Sequence, residues 1–245
     1  MRDRAFWINW YDLPENRQPY LDWLHQRYIP LVTGRPGVLW AAHYAADIAA
    51  VPLGGGKGRV TRHAPSDLPG GSQFVLIFAA EDPHVFADLS AEDFHAGLGD
   101  KDRQMLGLRK GERRNLMVEE ARVNGPAAPA IETDGAPSPA IQIGSFNAVS
   151  PEAEFELAKW YSRWRLPSMT DLPGIVRVRK LVSVAGWAKH ACLYEFTSLD
   201  MRKEHFIHYE DPYPDMAKWS VEIVNTLVHA TPRPIVAERS WPPVS

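Results

Sequence analysis

Apolar residues along the chain follow two spacings, one typical of strands and one typical of helices. The same order of strand-like and helix-like segments occurs in both halves of the chain. Short runs rich in aromatic and β-branched residues, such as FWINWY, are typical of strands. After that run, apolar residues recur at i, i+3, i+4 and i+8, the spacing of one face of a helix. That face consists of Tyr20, Trp23, Leu24 and Tyr28. The first half therefore predicts the order βαββαβ, with strands expected at residues 6–11, 38–46, 73–80 and 115–120.

The second half predicts the same order from its own residues. Its first helix, Pro151–Trp164, follows Ser150, and a serine cap before a proline favours a helix start. Residues 22–37 align without a gap on residues 159–174, with identical Trp, Pro, Thr, Pro and Gly at matching positions. We infer an internal duplication. Strands are expected at residues 140–146, 175–184, 191–197 and 233–239, and further helices at residues 83–89, 200–209 and 216–228.

A stretch rich in proline, alanine and glycine divides the two repeats. It has no amphipathic period, so residues 123–139 are predicted to be a linker. Residues 1–122 then form the first repeat and residues 140–245 the second. The alignment offset falls from 137 to 118 between two matching windows. The first repeat therefore carries an insertion, which is rich in glycine and spans residues 47–72.

Both faces of the predicted strands are apolar. In QFVLIFAA, Val75 and Ile77 alternate with Phe74, Leu76 and Phe78, whereas a half-exposed sheet would alternate apolar with polar residues. Each repeat has the ferredoxin-like plan, which leaves one sheet face uncovered by helices. The sequence therefore predicts an α+β fold in which two ferredoxin-like repeats pack sheet to sheet as a pseudo-dimeric α+β barrel.

Composition narrows the class of protein and its compartment. The chain has 245 residues, 45% of them hydrophobic and 23% charged, as is usual for a soluble globular protein. The net charge of -3 comes without a basic block or an acidic tail, so we expect neither a nucleic-acid nor a membrane partner. A single cysteine, Cys192, fits a reducing cytoplasm. The expected partner is a small-molecule substrate, and a homodimer remains open.

The repeated motif carries a resemblance. An aromatic-x-x-aromatic helix face is followed by Tyr28-Ile29-Pro30-Leu31 and then Pro-Gly, and the second copy gives Arg165-Leu166-Pro167-Ser168 before its own Pro-Gly. This pattern resembles the EthD-like family of the dimeric α+β barrel superfamily. The family usually has a histidine where this chain has Tyr28 and Arg165. The resemblance implies a ligand held between sheet and helices, in a superfamily that includes cofactor-free decarboxylases, cyclases, isomerases and monooxygenases, and also heme enzymes.

Charged residues within two strands of the second repeat are candidates for chemistry. Glu195 lies mid-strand in CLYEF and could be a general acid or base with a raised pKa. It could equally be the partner of a structural ion pair with Arg177, Arg179 or Lys180. Arg177 and Arg179 share one strand face, where they could bind a substrate anion or simply face solvent.

Histidines offer proton transfer or ligation. His43 and His190 lie on matching strands and could move protons near neutral pH, or they could be surface residues. His205 and His208, at i and i+3, share a helix face as a metal pair would, yet no third ligand has a fitting spacing. We therefore expect no metal. A heme needs one axial ligand, which any of the nine histidines could supply.

These patterns favour a cofactor-independent lyase or isomerase that acts on a small aromatic or polyketide-like substrate. Tyr28 would donate a proton or hydrogen bond, Arg165 would stabilise an anion, and Glu195 and His43 would complete the catalytic set. The predicted substrate-binding residues are Trp23, Trp40, Tyr44, Trp160, Tyr161, Arg177, Arg179, His190 and His208. The alternatives are a heme enzyme of the same superfamily and a non-catalytic binding protein for a hydrophobic metabolite. The plainly apolar strands of the first repeat suggest that it is the scaffold.

Overall fold

The structure, a computed structural model, describes residues 3–47, 49, 59–89, 95, 97–128, 137–231 and 234–244. The main strands and helices follow the order predicted from the sequence, but the short strands Arg62–His63 and Leu227–His229 were not predicted, and the second replaces the end of the predicted helix 216–228. Residues 50–58 of the predicted insertion and residues 129–136 of the predicted linker lie outside the described residues.

The first repeat begins with a strand and one continuous helix in three segments. Its elements are β1 (Ala5–Asp12), α1 (Gln18–Trp23), a π-helical turn (Leu24–Tyr28), α2 (Ile29–Thr33), β2 (Val38–Ala46), β3 (Arg62–His63), β4 (Phe74–Ala80), a 3₁₀ helix (Pro83–Leu89), α3 (Asp100–Leu106) and β5 (Lys110–Asn124).

The second repeat has the same plan with a longer second helical part. Its elements are β6 (Ala140–Ala148), α4 (Pro151–Trp160), a π-helical turn (Tyr161–Arg165), a 3₁₀ turn (Pro167–Met169), β7 (Ile175–Gly186), β8 (His190–Phe196), α5 (Leu199–Met201), a π-helical turn (Arg202–Phe206), α6 (Pro214–Val224), β9 (Leu227–His229) and β10 (Ile235–Trp241). The hydroxyl of Ser150 accepts from the backbone N–H of Ala153, as the predicted cap requires.

Eight antiparallel strands close into a barrel. Around it they run β2, β4, β1, β5, β7, β8, β6 and β10, and β10 pairs back onto β2. Within each repeat the order is that of a ferredoxin-like sheet, and the β5–β7 and β10–β2 pairs join the repeats. The predicted pseudo-dimeric α+β barrel is therefore confirmed. Closure leaves these strands without an open edge.

The strands divide the interior into three apolar regions. The barrel interior is filled by Phe6, Ile8, Trp10, Ile77, Leu181, Leu193 and their neighbours. The first sheet–helix space lies between the outer sheet face and α1–α2, and holds Trp7, Tyr11, Tyr20, Tyr28, Phe74 and Phe78. The second sheet–helix space is its counterpart, with Trp160, Tyr161, Tyr194, Phe196 and Phe206. This division explains why both faces of each strand are apolar in the sequence.

The repeated Pro-Gly places a glycine where another residue could not fit. Gly37 and Gly174 have φ of +87° and +79°, a conformation that L side chains rarely adopt. A Cβ on Gly37 would come within 2.7 Å of Val85, and one on Gly174 within 2.5 Å of Met201. The two glycines therefore let the chain turn tightly from the helix into β2 and β7.

The first helix of each repeat contains a π-helical turn at the same position. The π-helical turn Leu24–Tyr28 in the first corresponds to Tyr161–Arg165 in the second. Each turn ends at the matching residue of the repeated motif, Tyr28 or Arg165. Such turns are rare and recur at functional sites. Here they aim matched positions into the two sheet–helix spaces.

One end of the barrel interior holds buried ion pairs. Arg179 lies 2.7 Å from Asp3, 2.9 Å from Glu119 and 3.3 Å from Glu195. The Nε atom of Arg177 lies 2.5 Å from Oε2 of Glu195. The ion pair considered for Glu195 is therefore present. Arg177 and Arg179 share a face as predicted, but that face is buried, so the solvent-exposed alternative is wrong.

Removing Arg179 tests how much these pairs stabilise the barrel. Arg179→Met should lower the free energy of unfolding by about 3–5 kcal/mol, because three carboxylates would lose their shared buried cation. Urea denaturation measures the change. The control Lys218→Met, on an exposed face of α6, should stay within about 0.5 kcal/mol of the parent. A loss below about 1 kcal/mol in Arg179→Met would contradict a stabilising role.

Candidate functional site

The first sheet–helix space contains a buried histidine with polar partners on all sides. His43 alternates with the interior residues of β2, so its ring faces the helices, and it is 0% exposed. Its Nε2 lies 3.0 Å from the hydroxyl of Tyr11, and its Nδ1 lies 3.0 Å from Nε2 of His25 and 3.0 Å from the hydroxyl of Ser240. The surface alternative for His43 is therefore wrong.

The partners of His43 indicate which nitrogen carries hydrogen. The hydroxyl of Ser240 donates to the backbone carbonyl of His43 at 3.1 Å, so its oxygen is left to accept from Nδ1–H. We therefore assign the hydrogen to Nδ1. The Nε2 atom is then free to accept from Tyr11. Burial, with His25 nearby, holds the pKa of His43 well below its usual value, so the ring is neutral at pH 7.

A buried arginine faces three tyrosines in the same space. The guanidinium of Arg109 lies 4.6 Å from the ring centre of Tyr11, 5.3 Å from that of Tyr28 and 5.9 Å from that of Tyr20. Its Nε donates to the Tyr20 hydroxyl at 2.6 Å, and its Nη1 to Glu112 at 2.6 Å. Its Nη2 is buried without a hydrogen-bond partner. This cation can therefore still donate to an anion.

An asparagine on the sheet also has unused polar groups. Asn9 lies on β1 between Trp7 and Tyr11, on the face turned to the helices, and is 0% exposed. Neither its amide nitrogen nor its amide oxygen has a hydrogen-bond partner. Each unmade bond of a buried polar group costs roughly 1–3 kcal/mol. A ligand that hydrogen-bonds to Asn9 and to Nη2 of Arg109 would recover that free energy.

Tyr28 and Trp23 border this space from the helix. The hydroxyl of Tyr28 lies 3.1 Å from Nε2 of His95, and its pKa is raised by burial. The indole of Trp23 donates to Asp102 at 2.8 Å. The Arg27 guanidinium holds the pKa of Asp102 at about 2, so this carboxylate is charged. The predicted residues Tyr28, Trp23 and His43 thus share one space.

Arg165 lies in the second sheet–helix space, where its charge is fully engaged. Its Nε donates to the hydroxyl of Tyr194 at 2.6 Å, and its Nη1 donates to that of Tyr209. Glu210 lies 3.7 Å away. The guanidinium also faces the rings of Trp160, Tyr194, Phe206 and Tyr209, each 5.0 to 5.5 Å from its centre. The aromatic cage is therefore filled by the guanidinium of Arg165, a side chain of the protein itself.

The described residues of the second space do not fit a heme. Besides the cage around Arg165, the side chains of Leu157, Tyr161, Leu166 and Met169 are buried there. A porphyrin would need the volume that these rings and chains occupy. Of the helix histidines, His205 lies 3.6 Å from Glu204, and His208 is 71% exposed beside Asp211. We therefore derive no step through heme.

His190 pairs with a lysine at the repeat position of His43. Lys180 corresponds to His43 at the offset of 137, and its Nζ lies 2.8 Å from Nδ1 of His190 and 3.0 Å from Glu120. Burial and the Lys180 cation lower the pKa of His190 to about 4. Cys192, beneath Tyr161 in this space, is buried and its pKa is raised by burial. Lys180 also lies 5.3 Å from the ring centre of Tyr161, which packs against Trp160 of the Arg165 cage.

The remaining predicted site residues lie elsewhere. Tyr44 points into the barrel interior and donates to the carbonyl of Ser138 at 3.0 Å, and Trp40 donates to Asp3 at 3.1 Å. Arg177 and Glu195 were expected on the sheet face that the helices cover, but they face the barrel interior because β7 and β8 turn their odd positions inward. In the described part of the chain, no group of three His, Cys, Asp or Glu residues could hold a metal.

Sequence reasoning missed Asn9, Tyr11, His25 and Arg109. Asn9 carried a signal, because it is the single polar residue in FWINWY. Arg109 carried none, because it precedes β5 in a basic stretch that reads as a solvated turn. The first repeat, expected to be the scaffold, holds the unpaired groups of Asn9 and Arg109, while Nε2 of His190 is unpaired in the second sheet–helix space.

Several solved structures are similar to this chain in fold. An anthrone oxidase-like protein matches with a TM-score of 0.60 and 10% identity, over 98% of this chain and 92% of that chain. A candidate monooxygenase from Lactobacillus acidophilus NCFM matches with a TM-score of 0.55 and 11% identity, over 97% and 94% of the two chains. A dye-decolorizing peroxidase from Bacteroides thetaiotaomicron VPI-5482 matches with a TM-score of 0.55 and 10% identity, over 98% and 94%.

No protein-family model matches the chain, and no curated protein does. The EthD-like assignment, the cytoplasmic location and the homodimer therefore stay predictions. No helix in the described part of the chain is long and apolar enough to cross a membrane. At identities near one residue in ten, the similarity extends to architecture. The chain has the dimeric α+β barrel fold, built from two repeats of one polypeptide.

Proposed function

We propose that this chain is a cofactor-independent enzyme that removes a proton from a small aromatic substrate and stabilises the resulting oxyanion in the first sheet–helix space. One observation carries the proposal. The amide of Asn9 and Nη2 of Arg109 are buried and unpaired in the space where Tyr11 contacts His43. Buried polar groups without partners are rare in folded proteins, and at a functional site a ligand supplies the partners.

The walls of the space favour a flat aromatic substrate. Rings of Trp7, Tyr11, Trp23, Tyr28 and Phe78 lie together there, and aromatic side chains bind planar ligands by stacking and edge contacts. The donors of Asn9 and Arg109 favour an oxygen that gains negative charge. The name of the anthrone oxidase-like neighbour is consistent with such a substrate, because an anthrone is a flat ketone with an acidic C–H.

The proton step uses the contact between Tyr11 and His43. A substrate C–H or O–H bond breaks, and its electron pair stays on the substrate as an oxyanion. The Tyr11 oxygen takes the proton while its own hydroxyl proton passes to Nε2 of His43, 3.0 Å away. Arg109 and Asn9 donate hydrogen bonds to the oxyanion. Isomerisation, elimination or capture of dioxygen could follow from the same anion.

The packing of the second space supports cofactor-free chemistry over the heme alternative. Arg165 and its aromatic cage occupy the volume that a porphyrin would need. In the first space, both ring nitrogens of His43 already have hydrogen-bond partners. An axial ligand would have to give up one of them.

Proton abstraction can be tested on 1,8-dihydroxy-9-anthrone in D₂O without oxygen. The protein should accelerate exchange of the C10 hydrogens for deuterium, which mass spectrometry follows. Arg109→Gln should slow the enzyme-dependent exchange about 100- to 1,000-fold because the oxyanion loses its cation. His43→Gln should slow it about 100- to 10,000-fold because the proton acceptor is lost. The control His208→Gln, altered at an exposed residue, should match the parent.

If neither Arg109→Gln nor His43→Gln changes the exchange, the assignment of the first space is wrong. If the parent itself binds the anthrone without accelerating exchange, the chain is a binding protein for hydrophobic ligands. Both variants must first show the parent's urea unfolding midpoint within error.

Titration with hemin separates the two enzyme classes. We expect a weak, unsaturable rise in absorbance without a stoichiometric Soret band, because the second space is filled. Equimolar bovine serum albumin serves as a control for nonspecific association. A sharp Soret band that saturates at one hemin per chain, and is lost on replacing one histidine with alanine, would establish the heme alternative instead.

The pH dependence of exchange reports on His43. An ordinary histidine is half protonated near pH 6.5 and would lose half its basic form there. Burial lowers the pKa of His43, so its basic form persists to lower pH. The enzyme-dependent rate at pH 6.5 should therefore equal that at pH 7.5, once the spontaneous rate is subtracted. A rate that falls to half near pH 6.5 would show that an unperturbed histidine controls the step.

A further inference from the structure

A continuous chain of hydrogen bonds leaves the buried end of the first sheet–helix space. The hydroxyl of Tyr11 is the innermost group of this chain, and the ring of Tyr20 packs edge-on against the ring of Tyr11, with centres 5.9 Å apart. Tyr11 lies 3.0 Å from Nε2 of His43, and Nδ1 of His43 lies 3.0 Å from Nε2 of His25. The side chains of Tyr11 and His43 are fully buried, whereas His25 is half-buried. The chain therefore connects the interior of the space with its surface.

Donors and acceptors along this chain point in one direction. The hydroxyl of Tyr11 donates to Nε2 of His43. The Nδ1–H of His43 is shared between Nε2 of His25 and the hydroxyl oxygen of Ser240, each 3.0 Å from Nδ1. Each group has an acceptor on one side and a donor on the other. Such an arrangement can pass a proton from group to group while the side chains do no more than rotate.

We propose that His25 is the solvent-side end of a proton relay, Tyr11–His43–His25, that exchanges protons between the first sheet–helix space and bulk water. The inference deepens the proposed function, since it assigns the route of the proton that the reaction releases. Nε2 of His43 gains a proton from Tyr11 while Nδ1 loses one to Nε2 of His25. His25 then releases its own Nδ1 proton to water, and both rings end neutral in their alternative tautomers.

The charges around the two imidazoles suit a neutral relay. His43 faces His25 and Arg109, and burial lowers its pKa together with both of these neighbours. Burial also lowers the pKa of His25, while Asp22 on α1 acts in the opposite direction. Both rings are therefore uncharged at neutral pH. A single added proton can then move through the pair without a second charge to repel it.

The second repeat lacks such a pair at the equivalent positions. At the offset of 137, His25 corresponds to Ser162 and His43 to Lys180. The hydroxyl of Ser162 donates to the carbonyl of Lys159 on its own helix, and Lys180 contacts His190 and Glu120 instead. The duplicated fold therefore forms without two imidazoles at this place. The architecture itself therefore does not require these two histidines.

Strand β10, the last strand of the second repeat, contacts the relay residues and contains a second residue through which the proton could leave. The ring of Trp241 on β10 stacks on His25, with ring centres 6.2 Å apart. Ser240, also on β10, contacts Nδ1 of His43 and borders an open depression of about 570 Å³ at the β2–β10 junction. Its hydroxyl proton is donated to the His43 carbonyl, so it is not positioned to leave. His25 is therefore the better exit.

Exchange of the His43 ring proton with water tests the relay without any substrate. Proteins with ¹⁵N-labelled histidine are compared by saturation transfer from water to the Nδ1 proton of His43. In His25→Gln, which keeps a hydrogen-bonding side chain but cannot carry a proton, exchange should slow at least tenfold. Ser240→Ala should leave the exchange within about twofold. The control His84→Gln, altered at an exposed histidine beside Asp82, should leave it unchanged.

A structural role predicts the opposite sign. If His25 merely closes the space, His25→Gln would admit water and leave exchange unchanged or faster, and the relay would be wrong. Slow exchange in Ser240→Ala with normal exchange in His25→Gln would place the exit at Ser240 and would also overturn the proposal. His25→Gly with added imidazole gives a second reading, because the free base should restore fast exchange.

The anthrone assay separates this inference from the proposed function. If the relay and the function both hold, His25→Gln slows deuterium exchange into the anthrone at least tenfold and imidazole rescues His25→Gly. If the parent does not act on the anthrone but the ring-proton result is as expected, the relay stands and the substrate class is wrong. If the parent acts on it and His25→Gln retains full rate, the relay is wrong and the proposed function stands.

Discussion

The pairing of the two repeats along both sheet edges is the constraint on which the rest of the structure depends. The β5–β7 and β10–β2 pairs convert two open sheets into one closed barrel. Closure buries one face of every barrel strand against the other repeat, where apolar side chains and ion pairs fill most of the interior, although the Nε atoms of Arg113 and Arg239 there lack partners. The candidate site lies instead on an outer sheet face, under the helices. The duplication thus determines where a site can lie.

Each sheet–helix space contains a buried arginine, and the two arginines differ in how completely the protein satisfies their hydrogen-bond donors. In the second, Arg165 donates to tyrosine hydroxyls, faces four rings and lies near Glu210, so its cation is satisfied by the protein itself. In the first, Arg109 keeps one unpaired nitrogen and Asn9 keeps two unpaired atoms. Burial of such groups is costly, and proteins tolerate the cost at functional sites. The two repeats therefore bury a cation at different positions of the shared fold, one satisfied and one with an unpaired nitrogen.

The repeats also depend on each other beyond the barrel wall. His43 belongs to the first repeat, but Ser240 and Trp241, which contact it and its neighbour His25, come from the last strand of the second. The β10–β2 pairing places them there, since Trp241 lies opposite His43 in the register. The candidate site is therefore completed by a strand more than 190 residues away in the chain. The first repeat alone would lack Ser240 and Trp241 at this site.

The sequence by itself determined the strands, the helices, the duplication and the apolar character of both strand faces, because these follow from local spacing of side chains. It also identified Tyr28, Trp23 and His43, which do share one space. It could not decide that Glu195 faces the barrel interior, since a strand's alternation does not say which face the partner repeat covers. Nor could it select Arg109, Asn9 or His25. Their significance lies in distances between segments far apart in the chain, and only closure of the barrel brings those segments together.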